Sequence, residues 1–223
     1  MFPRPVSDWP VADDIDPELA VAADPYGRQA DAFRELRSVL LLEALPESAP
    51  FTLAVLSAQP GDGRTYLAAN LAAAFSQLGE RTLLIDADLR GARQDRLLRV
   101  QSGTGLSNVL AGFAEHTEAV HRVAGLANLW LMPAGALPPN PVELLQRPAF
   151  EALLAAMKEK FDRIVIDTTA ASRGPDCRVV AARCTASLVV ARKDETRVDG
   201  LERLLDTLER GLARIAGVVM NER

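Results

Sequence analysis

Short apolar segments alternate with helical segments along most of this chain of 223 residues. The clearest apolar run, 51–57, carries no charged residue and is followed at once by a glycine-rich turn. Continuous runs of this kind are typical of strands buried on both faces, and strands that alternate with helices form a parallel sheet. The sequence therefore predicts a single α/β domain, with a mostly parallel sheet and helices on both faces.

The first part of the chain differs from the rest. Residues 1–27 are rich in proline and aspartate and lack periodicity, so an N-terminal extended arm is predicted there, followed by one domain over 28–223. The predicted strands are 51–57, 81–86, 129–132, 163–167, 186–191 and 215–220. The predicted helices are 29–45, 65–78, 151–160, 175–183 and 198–212.

Composition excludes several classes of function. Lys and Arg number 25 against 30 Asp and Glu, which gives a net charge of −5, and aromatic residues make up 5%. Because basic surplus and stacking residues are both lacking, no nucleic-acid partner is expected. The uncharged run 123–142 contains four prolines, which favours strand plus loop over a spanning helix. The two cysteines, Cys177 and Cys184, are too few for a disulfide scaffold and fit a cytoplasmic chain.

A phosphate-binding loop is predicted directly after the first strand. Residues 58–65 follow the frame G-x-x-x-x-G-K-[ST], with Ala58 for the first glycine and Arg64 for the lysine. The glycines let backbone amides converge on phosphate oxygens at the start of the next helix, and the Thr65 hydroxyl can bind Mg²⁺. A plain glycine turn between strand and helix is the alternative. The candidate nucleotide-binding residues are Gln59, Pro60, Gly61, Asp62, Gly63, Arg64, Thr65 and Tyr66.

Two predicted strands end in aspartates, Asp86 with Asp88 on one and Asp167 on the other. The carboxyl ends of parallel strands meet at the edge where ligands bind, and carboxylates are ligands that Mg²⁺ prefers. Of Asp86 and Asp88, one can hold metal-bound water while the other accepts a proton from an attacking hydroxyl. Capping of the following helices is the alternative role. The candidate catalytic residues are Arg64, Asp86, Asp88 and Asp167, and the candidate metal ligands are Thr65, Asp86 and Asp167.

Four arginines recur at every third position after the second strand: Arg90, Arg93, Arg96 and Arg99. On a helix they would share a face, turned toward phosphates, toward a neighbouring subunit or toward solvent. A solvent-exposed charged face is the interpretation that this pattern favours.

Taken in order, several segments resemble the bacterial tyrosine kinases (BY-kinases) of capsule and exopolysaccharide assembly, within the MinD/ParA-like P-loop ATPases. The resemblance runs from about residue 31 to residue 221. The matching segments are 31–37 (the E-x-x-R-x-x-R helix, with Asp for Glu), 57–70 (Walker A), 84–90 (Walker A′), 105–112, 133–145 and 166–169 (Walker B).

The resemblance implies a cytoplasmic P-loop kinase domain that binds Mg·ATP and transfers its γ-phosphate to protein tyrosine. It also implies a membrane-embedded, chain-length-regulating partner of the polysaccharide co-polymerase type, through which the chain would lie peripheral to the inner membrane. Ring-shaped homo-oligomers are implied as well, with the subunit interface at Asp31, Arg34 and Arg37.

Two departures from the family bear on catalysis. Arg64 stands where the family has lysine, and a planar guanidinium fits less well between phosphates than a compact ammonium, unless the loop shifts to accommodate it. The tyrosines are Tyr26 and Tyr66, so no C-terminal tyrosine cluster is expected for autophosphorylation. Three functions therefore stay open: an active kinase, a catalytically impaired pseudokinase-like regulatory subunit of the export machinery, and a ParA/MinD-like positioning ATPase. The acidic charge disfavours the third.

Overall fold

The computed structural model describes residues 15–44, 50–101, 103–211 and 213–222. The predicted arm, 1–27, falls within these ranges from residue 15 onward. There the chain forms one helical turn, α1 (Ala20–Ala23), whose Val21 is fully buried because the short apolar stretch around it packs on the domain. The boundary between arm and domain stays a prediction.

The described strands form one sheet. They are β1 (Phe51–Ser57), β2 (Thr82–Ala87), β3 (His121–Arg122), β4 (Leu129–Met132), β5 (Arg163–Thr168), β6 (Ala186–Arg192) and β7 (Ile215–Asn221). Their order is β3-β4-β2-β5-β1-β6-β7, and every neighbouring pair is parallel except β3 with β4. β1, β2 and β5 are buried along their whole length, as the apolar residues at their centres predict. The predicted α/β sheet is confirmed.

Helices cover both faces of this sheet. After α1 they are α2 (Arg28–Val39), α3 (Arg64–Ser76), α4 (Gln94–Leu97), α5 (Leu106–Ala111), α6 (His116–Ala119), α7 (Pro141–Gln146), α8 (Pro148–Lys158), α9 (Asp176–Ala181) and α10 (Val198–Arg210). Alternate residues of β1 belong to two apolar clusters: Leu53 and Val55 pack with α1–α3, whereas Ala54 and Leu56 pack with α5 and α7–α10. Among the described helices, none is both long and apolar enough to cross a membrane.

Several short elements were not predicted. Strand β3 has two residues and depends on its antiparallel neighbour β4, and α5, α6 and α7 are six residues long or less. Such elements carry too few residues for a periodic pattern to show. The spacing of the arginines in segment 90–99 allows a helix face, but the segment is helical only at 94–97, and Arg99 has a φ of 51°.

The register of the sheet brings two predicted site residues, Asp86 and Asp167, to one edge beside the predicted phosphate loop. Asp86 at the end of β2 pairs with Asp167 of β5, and Val55 of β1 pairs with Asp167 on its other side. Strand β1 continues to Ser57, where the glycine-rich loop begins. The carboxylates and the loop therefore lie together at the C-terminal edge of the sheet.

Candidate nucleotide-binding site

The loop between β1 and α3 is held by the last strand of the sheet. Gly61 and Gly63 have φ values of 92° and 99°, a left-handed conformation that favours glycine. A Cβ on Gly63 would clash with Nδ2 of Asn221, which donates a hydrogen bond of 3.1 Å to the Asp62 carbonyl. The Asp62 carboxylate accepts hydrogen bonds from the Gln59 amide (2.9 Å) and the Thr196 hydroxyl (2.7 Å). The Asp62 side chain therefore helps to fix the conformation of the loop.

Arg64, at the start of α3, is 7% exposed and its side chain is directed to acceptors within the protein. Nε donates to the Thr168 carbonyl at 2.8 Å, and Nη1 donates to the Gln59 carbonyl at 3.0 Å and to the Ser57 hydroxyl. Nη2 lies 3.9 Å from Oδ2 of Asp88. The guanidinium thus links the loop to the ends of β1 and β5, and it also lines the cavity described below.

Asp86 and Asp88 have different surroundings. Asp86 is buried, and its carboxylate accepts hydrogen bonds from the amides of Asp88, Arg93 and Gln94, each at 3.1 Å. Burial, and then the charge of Asp167, raise the pKa of Asp86 well above its ordinary value. Asp88 accepts the Thr169 hydroxyl at 2.8 Å and lines the cavity. Asp86 therefore organises the start of α4, whereas Asp88, although only 7% exposed, borders the cavity.

The Asp167 carboxylate is buried and only partly hydrogen bonded. Oδ2 accepts Nε2 of Gln94 at 2.9 Å, the Thr65 side chain also hydrogen bonds to the carboxylate, and Oδ1 has no hydrogen-bond partner among the described residues. Burial raises its pKa to about 6, although Arg64, Gln94 and Thr65 oppose the shift. A buried carboxylate oxygen without a donor is costly, and a cation would relieve that cost.

These groups fit a magnesium ion. Within the described ranges no three His, Cys, Asp or Glu side chains lie close enough to hold a metal by themselves. Mg²⁺ takes one or two carboxylates and completes its six oxygen ligands with phosphates and water, so a full protein cage is not required. The Thr65 hydroxyl, the free Oδ1 of Asp167 and the neighbouring Asp86 supply that partial set.

A cavity of about 550 Å³ opens above these residues. Of the predicted loop residues, Pro60, Gly61, Gly63, Arg64, Thr65 and Tyr66 line it, whereas Gln59 lines a different depression and Asp86 and Asp167 are buried outside the lining set. The remaining lining residues are Asp16, Glu18, Asp88, Gly91, Arg93, Arg96, Leu97, Arg173, Arg192 and Asn221. The loop and Asp88 therefore share one concave site.

Sequence reasoning missed several residues of this site. Gln94 donates to Asp167 and to the Thr65 carbonyl (3.1 Å), and Asn221 holds the loop. Arg93 and Arg96 are exposed, as the sequence favours, but they also line the cavity. No local motif marks these residues; the basic repeat was the available signal for the two arginines.

The residues expected at a subunit interface lie on α2. Arg34 pairs with the exposed Asp31 at 2.9 Å. Arg37 instead donates to the Ala74 carbonyl of α3 at 2.6 Å, and burial lowers the pKa of its guanidinium. Arg37 therefore fastens α2 to α3, and the interface stays a prediction.

Comparison with known proteins identifies the family. The AAA domain family profile matches residues 52–215. The chain is 32% identical over 204 residues to the tyrosine-protein kinase wzc of Salmonella typhimurium, covering 92% of this chain and 28% of that protein. It is 30% identical over 172 residues to the tyrosine-protein kinase CpsD of Streptococcus agalactiae, covering 76% of this chain and 74% of that protein. The chain belongs to the BY-kinase family. It thus spans little more than a quarter of the wzc relative and about three quarters of CpsD.

Solved structures show that this BY-kinase chain has a MinD-like P-loop fold. The kinase domain of Escherichia coli tyrosine kinase ETK superposes with a TM-score of 0.86 at 30% identity, covering 91% of this chain and 79% of that one. The septum site-determining protein MinD of Pyrococcus horikoshii, solved with Mg-ADP, gives 0.67 at 23% identity, covering 77% and 70%. The second likeness concerns the fold alone. The chain is therefore a P-loop domain of the BY-kinase type.

Proposed function

We propose that this domain binds Mg·ATP in the cavity and that Arg64 slows transfer of the γ-phosphate. The observation that carries the proposal is the direction of the Arg64 side chain, whose nitrogens face the carbonyls of Thr168 and Gln59. A lysine ammonium at this position would act as a compact charge between the β- and γ-phosphates. The planar guanidinium would have to break hydrogen bonds within the protein to reach the same place.

The other residues support nucleotide binding. The amides of residues 61–65 stand at the start of α3, where a helix favours anions. Thr65, Asp86 and Asp167 would hold Mg²⁺, which when bound neutralises phosphate charge. Arg93, Arg96 and Arg173 line the same cavity and offer further positive charge to the terminal phosphates.

Asp88 is the proposed base. It lines the cavity, and the Thr169 hydroxyl donates to its Oδ1 and so fixes its orientation. It would accept the proton of an acceptor hydroxyl as that oxygen bonds to the γ-phosphorus and the bond to the leaving ADP breaks. A protein tyrosine is the proposed acceptor, from the likeness to the tyrosine-protein kinases. Failure of this step alone would leave a pseudokinase-like subunit that binds nucleotide without turnover.

The assembly is proposed from the same likeness. We propose a cytoplasmic chain that forms homo-oligomers through α2 and attaches to the inner membrane through a chain-length-regulating membrane protein. The support comes from the resemblance of the sequence to the BY-kinases, such as the tyrosine-protein kinase CpsD, and from the likeness to the chimerical protein CapA2B2, with a TM-score of 0.86 at 26% identity. The MinD-like proteins superpose less well, which disfavours a positioning ATPase.

The test compares wild type with Arg64→Lys. Calorimetric titration with Mg·ADP measures binding, and release of γ-phosphate from Mg·ATP measures turnover. We expect both proteins to bind, and Arg64→Lys to release phosphate at least about tenfold faster, which corresponds to about 1.4 kcal/mol of transition-state stabilisation. Arg122→Lys is the matched control, because it makes the same change at an exposed residue of the far edge strand β3.

Two results would contradict the proposal separately. If neither protein binds Mg·ADP, the nucleotide site is wrong. If wild type binds and turns over faster than Arg64→Lys, Arg64 is an adapted catalytic residue and the impairment is wrong.

A further inference from the structure

A second depression lies beside α10 and shares no lining residue with the nucleotide cavity. Its volume is about 600 Å³. We call it the α10 groove; its lining residues are Ala58, Gln59, Ala171, Ser172, Arg178, Arg197, Asp199, Gly200, Arg203, Leu204, Thr207 and Arg210. It therefore lies between α9, α10 and the first residues of the phosphate loop.

The α10 groove is strongly basic. Its charged lining residues are one aspartate and four arginines, in a chain whose net charge is −5. Asp199 is shared by Arg197, at 3.9 Å, and by Arg203, while Arg210 faces Asp206 at 3.8 Å. Arg178 forms no ion pair with any described residue. The protein itself thus leaves positive charge in the groove uncompensated.

Gln59 adds a hydrogen-bond donor to this groove. Its Nε2 is buried and has no acceptor within the described part of the chain. A buried amide donor without an acceptor costs free energy, and a turn of the Gln59 side chain toward the groove would let a carboxylate or carbonyl of a bound molecule recover that cost. Gln59 is also the residue whose carbonyl accepts Arg64, so the groove adjoins the phosphate loop.

The spacing of the arginines indicates an elongated ligand. Arg197 precedes α10 by one residue, and Arg203 and Arg210 follow along the helix. At about 1.5 Å per residue, Arg197 and Arg210 stand roughly 20 Å apart. One phosphate cannot reach both, whereas an extended peptide of about six residues spans that length.

We propose that the α10 groove binds an acidic, extended segment of a protein. Several carboxylates in a row would meet the arginines, and backbone carbonyls of the segment would accept from Gln59. A nucleic acid is the less favoured polyanion, because no aromatic residue lines the groove to stack on bases. A long polyanion would also meet the negative charge of the rest of the chain.

The test measures fluorescence anisotropy of labelled hexaglutamate, with labelled hexaglutamine as the neutral probe. We expect hexaglutamate alone to bind, more weakly as NaCl is raised. The double variant Arg178→Gln with Arg203→Gln should weaken binding at least about tenfold. Arg122→Gln, which removes a positive charge at the far edge strand β3, should bind as wild type does.

Four outcomes would overturn the proposal. In the first, hexaglutamate and hexaglutamine bind equally well. In the second, the Arg178→Gln, Arg203→Gln variant binds hexaglutamate as wild type does, whereas an Arg93→Gln, Arg96→Gln variant does not. That result would assign the probe to the nucleotide cavity. Inorganic phosphate could displace hexaglutamate completely at equal charge concentration, which would indicate a small-anion site. A hexathymidylate could bind more tightly than hexaglutamate, which would indicate nucleic acid. Retained binding of Mg·ADP by the double variant verifies that it is folded.

Discussion

Asp167 holds a carboxylate in a place where ionisation is unfavourable. It is 1% exposed, its register partner on β2 is Asp86, and its Oδ1 has no donor among the described residues. Its raised pKa, about 6, means that the folded protein binds this proton more tightly than the unfolded chain does. Between the ordinary value of about 3.9 and 6, the unfolded state therefore binds fewer protons, and the free energy of unfolding falls as pH rises.

Asp167→Asn should therefore stabilise the protein without Mg²⁺ at pH 7.5, because the amide stays neutral. We expect the melting temperature to rise by at least about 2 °C at pH 7.5, with a smaller difference at pH 4. Differential scanning calorimetry at both pH values measures this. The same variant should lose most of the stabilisation that Mg·ADP gives wild type.

Asp162→Asn is the control variant, for which we expect the opposite change in melting temperature. The hydrogen bond from Arg81 holds the pKa of Asp162 below its ordinary value, so its ionised form stabilises the fold above that value. This variant should melt lower than wild type at pH 7.5. A lower melting temperature for Asp167→Asn at pH 7.5 would show instead that the buried carboxylate stabilises the fold without a cation.

Helix α1 depends on one buried side chain of α3. Asn70 accepts the Val21 amide at 3.0 Å and donates to the carbonyls of Glu18 at 2.8 Å and Tyr66 at 2.9 Å. Because Asp16 and Glu18 line the nucleotide cavity, Asn70 also fixes one wall of that cavity.

Asn70→Ala should loosen this element. It leaves the Val21 amide and the Glu18 carbonyl without their partner, at a cost of about 1–3 kcal/mol. We expect the melting temperature to fall by about 2–4 °C for each kcal/mol, and limited proteolysis to cut faster within 15–24. Ser38→Ala, which removes one exposed hydrogen bond to Arg34, should change neither result. Equal melting temperatures for Asn70→Ala and wild type would contradict this role.

Elements with strong local patterns could be predicted from the sequence. β1 and β6 are continuous apolar runs because both of their faces are buried, and α10 has one apolar face. The positions of the loop glycines and of the aspartates at the ends of β2 and β5 could also be predicted, because these residues directly follow or end the apolar strand segments. Gln94 and Asn221 could not be found in this way, since they meet the site only when distant segments pack. The direction of the Arg64 side chain toward Thr168 could not be predicted either, because it depends on acceptors that distant segments bring close only in the folded protein.

At the scale of the whole molecule, the α2 surface is where self-association is predicted. The structure separates its two arginines: Arg34 is on the surface beside Asp31, whereas Arg37 holds α2 to α3. A variant that replaces both arginines could lower both self-association and stability, so the two effects could not be told apart.

Arg34→Glu is therefore the informative change. It reverses a surface charge, so like-charge repulsion should weaken contacts with acids of a neighbouring subunit. We expect a lower mass in static light scattering, with the melting temperature within about 2 °C of wild type. Arg37→Ala should instead lower the melting temperature. An unchanged mass for Arg34→Glu would remove α2 from the interface.

The link between β7 and the phosphate loop also matters for how the protein is made. Asn221, at the end of the edge strand, donates to the carbonyl of Asp62, 159 residues earlier in the chain. A ribosome therefore releases the loop sequence long before it releases the residue that fixes the loop's shape. We expect a nascent chain to be unable to capture nucleotide until its last strand has joined the sheet. Nucleotide binding would then report that the chain has been made as far as Asn221 and that β7 is in place.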